Sequence, residues 1–210
     1  MTPVSEAIAQ IFAAIDLIGL AVFAITGALV AARKEMDPVG FMVVGTVTAI
    51  GGGTVRDLIL GVRPVWIEDT TYLVVSLVAS LATFWAAKPF TRILPLLLWL
   101  DALGMALFAV AGTQKAAALQ APVLVCVIMG VMTASFGGLI RDIFCGEKPL
   151  MFHREIYATA AAAGSMVWLA LHHLSTLPEF GQTVLAITAG FAIRGAAIIW
   201  GLHFPQYKPR

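Results

Sequence analysis

Seven apolar runs, near residues 8–32, 39–62, 70–87, 94–115, 122–145, 155–172 and 182–203, fill almost the whole chain and are separated only by short turns. A hydrocarbon core about 30 Å thick takes roughly 20 apolar residues per spanning helix, so each run predicts a transmembrane helix. The turns carry the helix-breaking residues: Arg33-Lys34-Glu35-Met36-Asp37-Pro38, Arg63 to Asp69, Lys88-Pro89, Gln120-Ala121-Pro122, Glu147-Lys148-Pro149 and Ser175 to Glu179. Only 12% of residues are charged and the mean hydropathy is +0.93, where a soluble domain carries about a quarter charged residues. A separate soluble domain does not fit, and a net charge of +1 gives no basic surface for nucleic acid. No Lys or Arg precedes Arg33, so the first run is expected to be a permanent helix rather than a cleaved signal.

An internal repeat narrows the architecture further. Residues 16 to 72 align without a gap on 101 to 157, at a constant offset of 85, and 18 of the 57 pairs are identical. The matches include Asp16 with Asp101, Gly27 with Gly112, Thr48 with Thr133, Gly52-Gly53 with Gly137-Gly138, Arg56-Asp57 with Arg141-Asp142, Gly61 with Gly146 and Pro64 with Pro149. Each copy spans three helices. An odd number of crossings brings the chain back on the far side, so the second copy is expected to be inverted in the bilayer. The expectation is an all-α integral membrane protein of seven transmembrane helices: a first repeat over 1–93, a second over 94–178, and a seventh helix with a short tail over 179–210.

Lys and Arg collect on the cytoplasmic side of membrane proteins. Eight lie in turns on the side of the C-terminus (Arg33, Lys34, Lys88, Arg92, Lys148, Arg154, Lys208, Arg210) against two on the other (Arg63, Lys115). This predicts an external N-terminus and a cytoplasmic C-terminus. Trp85, Trp99 and Trp200 fall near helix ends, where amphipathic rings favour the headgroup region.

The chemistry concentrates in GGGTVRDLILGVRP at 51 to 64 and FGGLIRDIFCGEKP at 136 to 149, which share GGxxRDxxxGxxP. Each glycine weakens a helix by about 1 kcal/mol relative to alanine, so Gly51, Gly52, Gly53, Gly137 and Gly138 are expected to kink or open the backbone. Freed backbone groups are tolerated in a bilayer only where they face protein or water, which predicts a polar interior path. An ionised side chain near a helix centre costs about 2.5 to 3.5 kcal/mol on insertion scales, so Arg56, Asp57, Arg141 and Asp142 should face that interior. Neighbours on a helix point about 100° apart. A crossed network, Arg56 with Asp142 and Arg141 with Asp57, is therefore the expected pairing.

Asp16 and Asp101 occupy equivalent places near the starts of the first helix of each copy. Unpaired at the two vestibules, they would concentrate cations as acidic rings do in cation pores. Arg194 has no repeat partner and is expected to neutralise one of these acids or to form a positive gate. Thr48, Thr54, Thr133 and Ser135 are further pore-lining candidates, with bonding to their own helix as the alternative. Gly27, Gly45, Gly112 and Gly130 read as close-packing positions. Cys126 and Cys145 read as packing residues, and His153, His172, His173 and His203 lack the spacing of a metal site. No HExxH, GxSxG or Walker loop is present, so a catalytic role is not expected and neither is a cofactor.

The duplicated Gly-Gly-x-x-Arg-Asp motif, in a three-plus-three repeat with a seventh helix, resembles the TRIC family of trimeric intracellular cation channels, in particular its prokaryotic members. The resemblance covers almost the whole chain and rests on GGGTVRDLILG, GGLIRDIFCG and the 85-residue repeat. It implies a homotrimer in the plasma membrane, the inner membrane of a bacterium, surrounded by lipid, with a pore in each protomer. That pore would conduct potassium, and sodium to a lesser extent, gated near the second and fifth helices. Phe136 stands where the second copy would have its first glycine. Some bacterial relatives are described as transporters of small amino acids such as glycine, and inverted repeats are equally typical of such carriers.

Overall fold

The computed structural model describes residues 3–87, 93–149 and 156–202, and the described residues form helices and turns only. In chain order the helices are α1 (Pro3–Arg33), α2 (Pro38–Ile59), α3 (Val65–Glu68), α4 (Thr71–Ala86), α5 (Ile93–Ala118), α6 (Val123–Phe144), α7 (Ala158–Leu174) and α8 (Glu179–Trp200). Seven of the eight coincide with the apolar runs. The short α3 lies in the Arg63 to Asp69 turn. Five helices (α1, α2, α5, α6 and α8) are long and apolar enough to cross a membrane, while α4 is apolar but has only 16 residues. His153, His203 and the basic turn residues Lys88, Arg92, Arg154, Lys208 and Arg210 lie outside the described residues.

Local chemistry sets the helix ends. Asp37 caps α2, its Oδ1 accepting from Gly40 N at 2.8 Å, and Pro38 at the first helical position gives up no needed donor. Helices α1, α2, α5 and α6 are followed by left-handed residues that come in pairs 85 apart: Glu35 (φ 55°) with Gln120 (φ 58°), and Gly61 (φ 71°) with Gly146 (φ 65°). The closing bonds pair likewise, Met36 N to Ala31 O at 3.1 Å with Ala121 N to Ala116 O at 3.1 Å, and Val62 N to Asp57 O at 3.0 Å with Glu147 N to Asp142 O at 2.8 Å.

Four helices, α1, α2, α5 and α6, pack about the centre, with α4 against α1 and α2, and α7 and α8 against α5. Contacts here are reciprocal between the copies. Phe23 packs at a tilt against its own counterpart Phe108, with centroids 5.1 Å apart. A Cβ on Gly27 would strike Thr48, and one on Gly112 would strike Thr133; Gly45 lies against Ser80 and Ala24 O, Gly130 against Ser165 and Ala109 O. These four glycines are close-packing positions, as expected.

At the glycine runs one of the two expected outcomes, an opened backbone, does not occur. Both α2 and α6 continue as uninterrupted helices through Gly51–Gly53 and through Gly137-Gly138, so neither backbone is opened. A Cβ at Gly52 would collide with the Thr133 carbonyl oxygen, and one at Gly137 with the Thr48 carbonyl oxygen. The physical role of this pair is a near backbone-to-backbone crossing of α2 and α6, which no larger residue permits.

Candidate functional site: two charge clusters at opposite ends of one crossing

Arg56 and Asp57 sit in the last turn of α2, Arg141 and Asp142 in the last turn of α6. Each Arg-Asp pair gathers its own cluster. In the first, Arg56 Nε donates to Asp57 Oδ1 at 2.8 Å, and Lys115 Nζ from the end of α5 meets the same oxygen at 2.9 Å. The other oxygen, Oδ2, accepts from Val65 N of α3 at 3.3 Å, which leaves Asp57 wholly buried yet bonded on both sides. Asp16 belongs to the same region, its Oδ2 accepting from Tyr72 OH at 2.9 Å. A cavity of about 420 Å³ opens between these groups, lined by Asp16, Arg56, Gln114, Lys115, Glu179 and Thr183 among apolar residues of α1, α5 and α8. A small adjoining space of about 20 Å³ lies behind Asp16 and Arg56, under Trp66, whose Nε1 donates to Thr54 Oγ1 at 3.0 Å.

The second cluster is closed. Arg141 Nε donates to Asp142 Oδ1 at 2.7 Å, and its Nη1 donates both to Asp101 Oδ1 at 2.9 Å and to Thr26 Oγ1 at 3.2 Å. One guanidinium thereby joins α6, α5 and α1, and Arg141 and Asp101 are 0% and 1% exposed. Tyr157, the repeat counterpart of Tyr72, is buried beside it, donating to Ala134 O at 3.2 Å. Arg194 of α8 stacks over the Tyr157 ring at 5.3 Å.

Two expectations are corrected by this geometry. Arg-Asp pairing runs within each copy rather than across them, because the arginine stem is long enough to fold its lateral Nε back onto the next residue. Asp101 is not an open vestibule acid but is held by Arg141. Arg194, outside the set of residues lining the cavity, lies against Tyr157. Thr48, Thr54, Thr133 and Ser135 each donate to the carbonyl four residues earlier, which satisfies their hydroxyls locally. Of these, Thr54 and Thr133 line the small space behind Asp16. Sequence reading missed Tyr72, Tyr157 and Trp66; the first two are the last identical pair of the repeat, which was the available signal.

Cys126 and Cys145 are free and buried, His172 and His173 lie in the last turn of α7, and no metal-holding group occurs among the described residues. Beyond the apolar helices, Lys34 Nζ meets Glu147 Oε1 at 3.0 Å and holds that carboxyl below its usual range, which ties the α1–α2 turn to the end of α6.

Apolar helices around buried, mutually bonded charges define an integral membrane protein with an open cavity that carries charged groups on a largely apolar wall. The family described as Glycine transporter matches twice, over residues 13–88 and 98–173, two stretches that are themselves 85 residues apart. The chain belongs to this family. It is similar to the UPF0126 inner membrane protein YadS of Escherichia coli, 41% identical over 92% of this chain and 94% of that protein. A UPF0126 membrane protein of Vibrio cholerae is 40% identical over 92% of this chain and 81% of its own. Among solved structures, a TRIC trimeric intracellular cation channel orthologue from Rhodobacter sphaeroides superposes with a TM-score of 0.88 at 42% identity, over 92% of this chain and all of that one. A second TRIC cation channel gives 0.84 at 36% identity, over 95% and 98%. The likeness to the prokaryotic TRIC family is thus shown at the level of sequence and of fold.

Proposed function

We propose that this protein is a monovalent cation channel of a bacterial inner membrane, passing potassium and also sodium, with one path in each protomer of a homotrimer. The observation that carries the reading is the charged cavity between α1, α5 and α8 in a chain so similar to proteins described as cation channels. Within it Arg56 and Lys115 are both engaged by Asp57, so Asp16, which is bonded by a neutral hydroxyl, and Glu179 leave the cavity electronegative. Reciprocal contacts such as Gly52 with Thr133 and Gly137 with Thr48 support two inverted three-helix copies, with α8 as the seventh span. On this reading α4 and α7 cross as shorter spans, the N-terminus is outside, the C-terminus is cytoplasmic, and the cavity opens outward. Gating acts at the α2–α6 crossing, where the glycines serve as a contact point and the Arg-Asp pairs respond at its ends. No cofactor enters; the permeant ion is the only ligand required.

A specific observation favours a second reading as a carrier of a small zwitterion such as glycine: the cavity carries both an acid and bases, and the other end of the molecule is shut. Asp16 would face the ammonium and Arg56 or Lys115 the carboxylate. Recording from the reconstituted protein under a potassium gradient decides between them. Discrete steps reversing near the potassium potential, reduced in Asp16→Asn, support the channel. A silent bilayer with glycine uptake into liposomes overturns it.

A further inference from the structure

The two clusters contain equivalent residues in different arrangements. At the closed end Arg141 reaches both acids of its copy, Asp142 beside it and Asp101 on α5. At the open end Arg56 holds only Asp57; among the described residues no ion pair joins it to Asp16, and the cavity lies between. Tyr72 occupies Asp16 instead, from α4. Its counterpart Tyr157 donates to the Ala134 carbonyl and lies within reach of Asp101 as well, so the difference between the ends lies in the arginine.

We infer that Arg141–Asp101 and Arg56–Asp16 are two ends of one latch, engaged alternately, and that the present structure is the state with the inner end locked and the outer end released. The names inner and outer rest on the reading above; the latch itself rests on the geometry. In the opposite state Arg56 keeps Asp57 and reaches Asp16 as well, while Arg141 releases Asp101. The coupling element is the α2–α6 crossing. Gly52 and Gly137 place the two helices backbone against backbone on the carbonyls of Thr133 and Thr48, so a tilt about this point closes one pair of helix ends as it opens the other. The locked end is also poised for release: among the described residues Asp101 Oδ2 and Arg141 Nη2 are buried without a hydrogen-bond partner. A Cβ on Gly138 would stand 3.5 Å from Arg141 Nη2 and 3.6 Å from Asp101 Oδ1, so the glycine keeps side-chain bulk away from the pair.

The test reads accessibility in detergent-purified protein, so it depends neither on transport nor on orientation. With Cys126 and Cys145 replaced by alanine, single reporters are placed at Ala111, which lines the cavity, and at Leu29, which is 1% exposed and is the repeat counterpart of the cavity residue Gln114. In the parent a polar maleimide should label Ala111→Cys and spare Leu29→Cys; equal labelling overturns the proposal. Two variants should move both reporters oppositely: Asp101→Asn, which unlocks the inner end, and Tyr72→Phe, which frees Asp16 for Arg56. Each should raise labelling at position 29 about tenfold or more and lower it at 111, the signature of a shifted two-state population. If Asp101→Asn is not monodisperse, Tyr72→Phe decides alone. Protection persisting at position 29 in a folded variant, or a rise there with no fall at 111, refutes the coupled latch. A protein that conducts no potassium could still pass this test, and a proven channel could fail it.

Discussion

Three adjacent glycines in α2 should respond to alanine in three different ways. At Gly52 a Cβ would fall roughly an ångström inside the ~3.5 Å optimum from the Thr133 carbonyl oxygen, which is backbone and cannot rotate away. Overpacking costs about 1–3 kcal/mol, and a rigid neighbour argues for the upper end; better helix propensity returns about 1 kcal/mol. Gly52→Ala should therefore lose about 2 kcal/mol, or roughly 4–8 °C of Tm for a chain this long. At Gly51 the nearest atom is the Ile140 Cδ1 tip at 3.1 Å, which can swing aside, so Gly51→Ala should be near neutral. At Gly53 only Arg56 Nη2 at 3.8 Å is close, and Gly53→Ala should gain up to about 1 kcal/mol. Thermal unfolding of the solubilised protein, followed by the monodisperse fraction remaining after heating, gives the order. A Gly52→Ala protein as stable as Gly51→Ala would refute the crossing as the reason for the glycine.

Arg141→Gln should destabilise the protein by about 3–5 kcal/mol by stranding buried carboxylates, and Arg56→Gln by clearly less because Lys115 still serves Asp57; the same thermal assay compares them. Glu147→Gln removes a partly exposed pair and should cost less than about 1 kcal/mol. Its carboxyl is held below the ordinary glutamate range in the folded state, so this contribution is complete above the unfolded pKa and fades as pH falls through the folded one; wild type and variant should converge in Tm in acid. Trp66→Phe deletes the bond to Thr54 and should loosen α3 over the cavity, read as faster proteolysis between residues 61 and 70 with unchanged Tm.

The helices were legible because apolar length is a strong signal: the run over 39–62 became Pro38–Ile59, and that over 122–145 became Val123–Phe144. The repeat also named the chemistry, since Asp16, Arg56-Asp57, Asp101 and Arg141-Asp142 all reside in the two clusters. What the sequence hid was partner choice. Glycine in a helix signals a bend or a close approach equally, and only the position of Thr133 O across the crossing separates them. An arginine reaches several acids within one turn of helix, so the angle between neighbouring side chains did not decide whether Arg56 would meet Asp57 or Asp142. The asymmetry between the clusters follows the pairs that differ, Lys115 opposite Val30, Gln114 opposite Leu29, Thr26 opposite Ala111 and Trp66 opposite Met151, with Arg194 outside the repeat, and none of these stands in the shared motif.

The left-handed turn at Glu35 and its twin at Gln120 share one backbone shape, and their flanks differ in charge. Arg33 and Lys34 precede the first, Ala118 and Leu119 the second. If both turns descend from one ancestral segment, that segment had to insert into the membrane in either orientation, as a dual-topology unit pairing with itself. On the proposed topology, fusion of two copies would freeze one orientation for each, and basic residues would persist only at the copy whose turn faces the cytoplasm. The bare second turn would then be a record of how a symmetric pair became a single oriented chain.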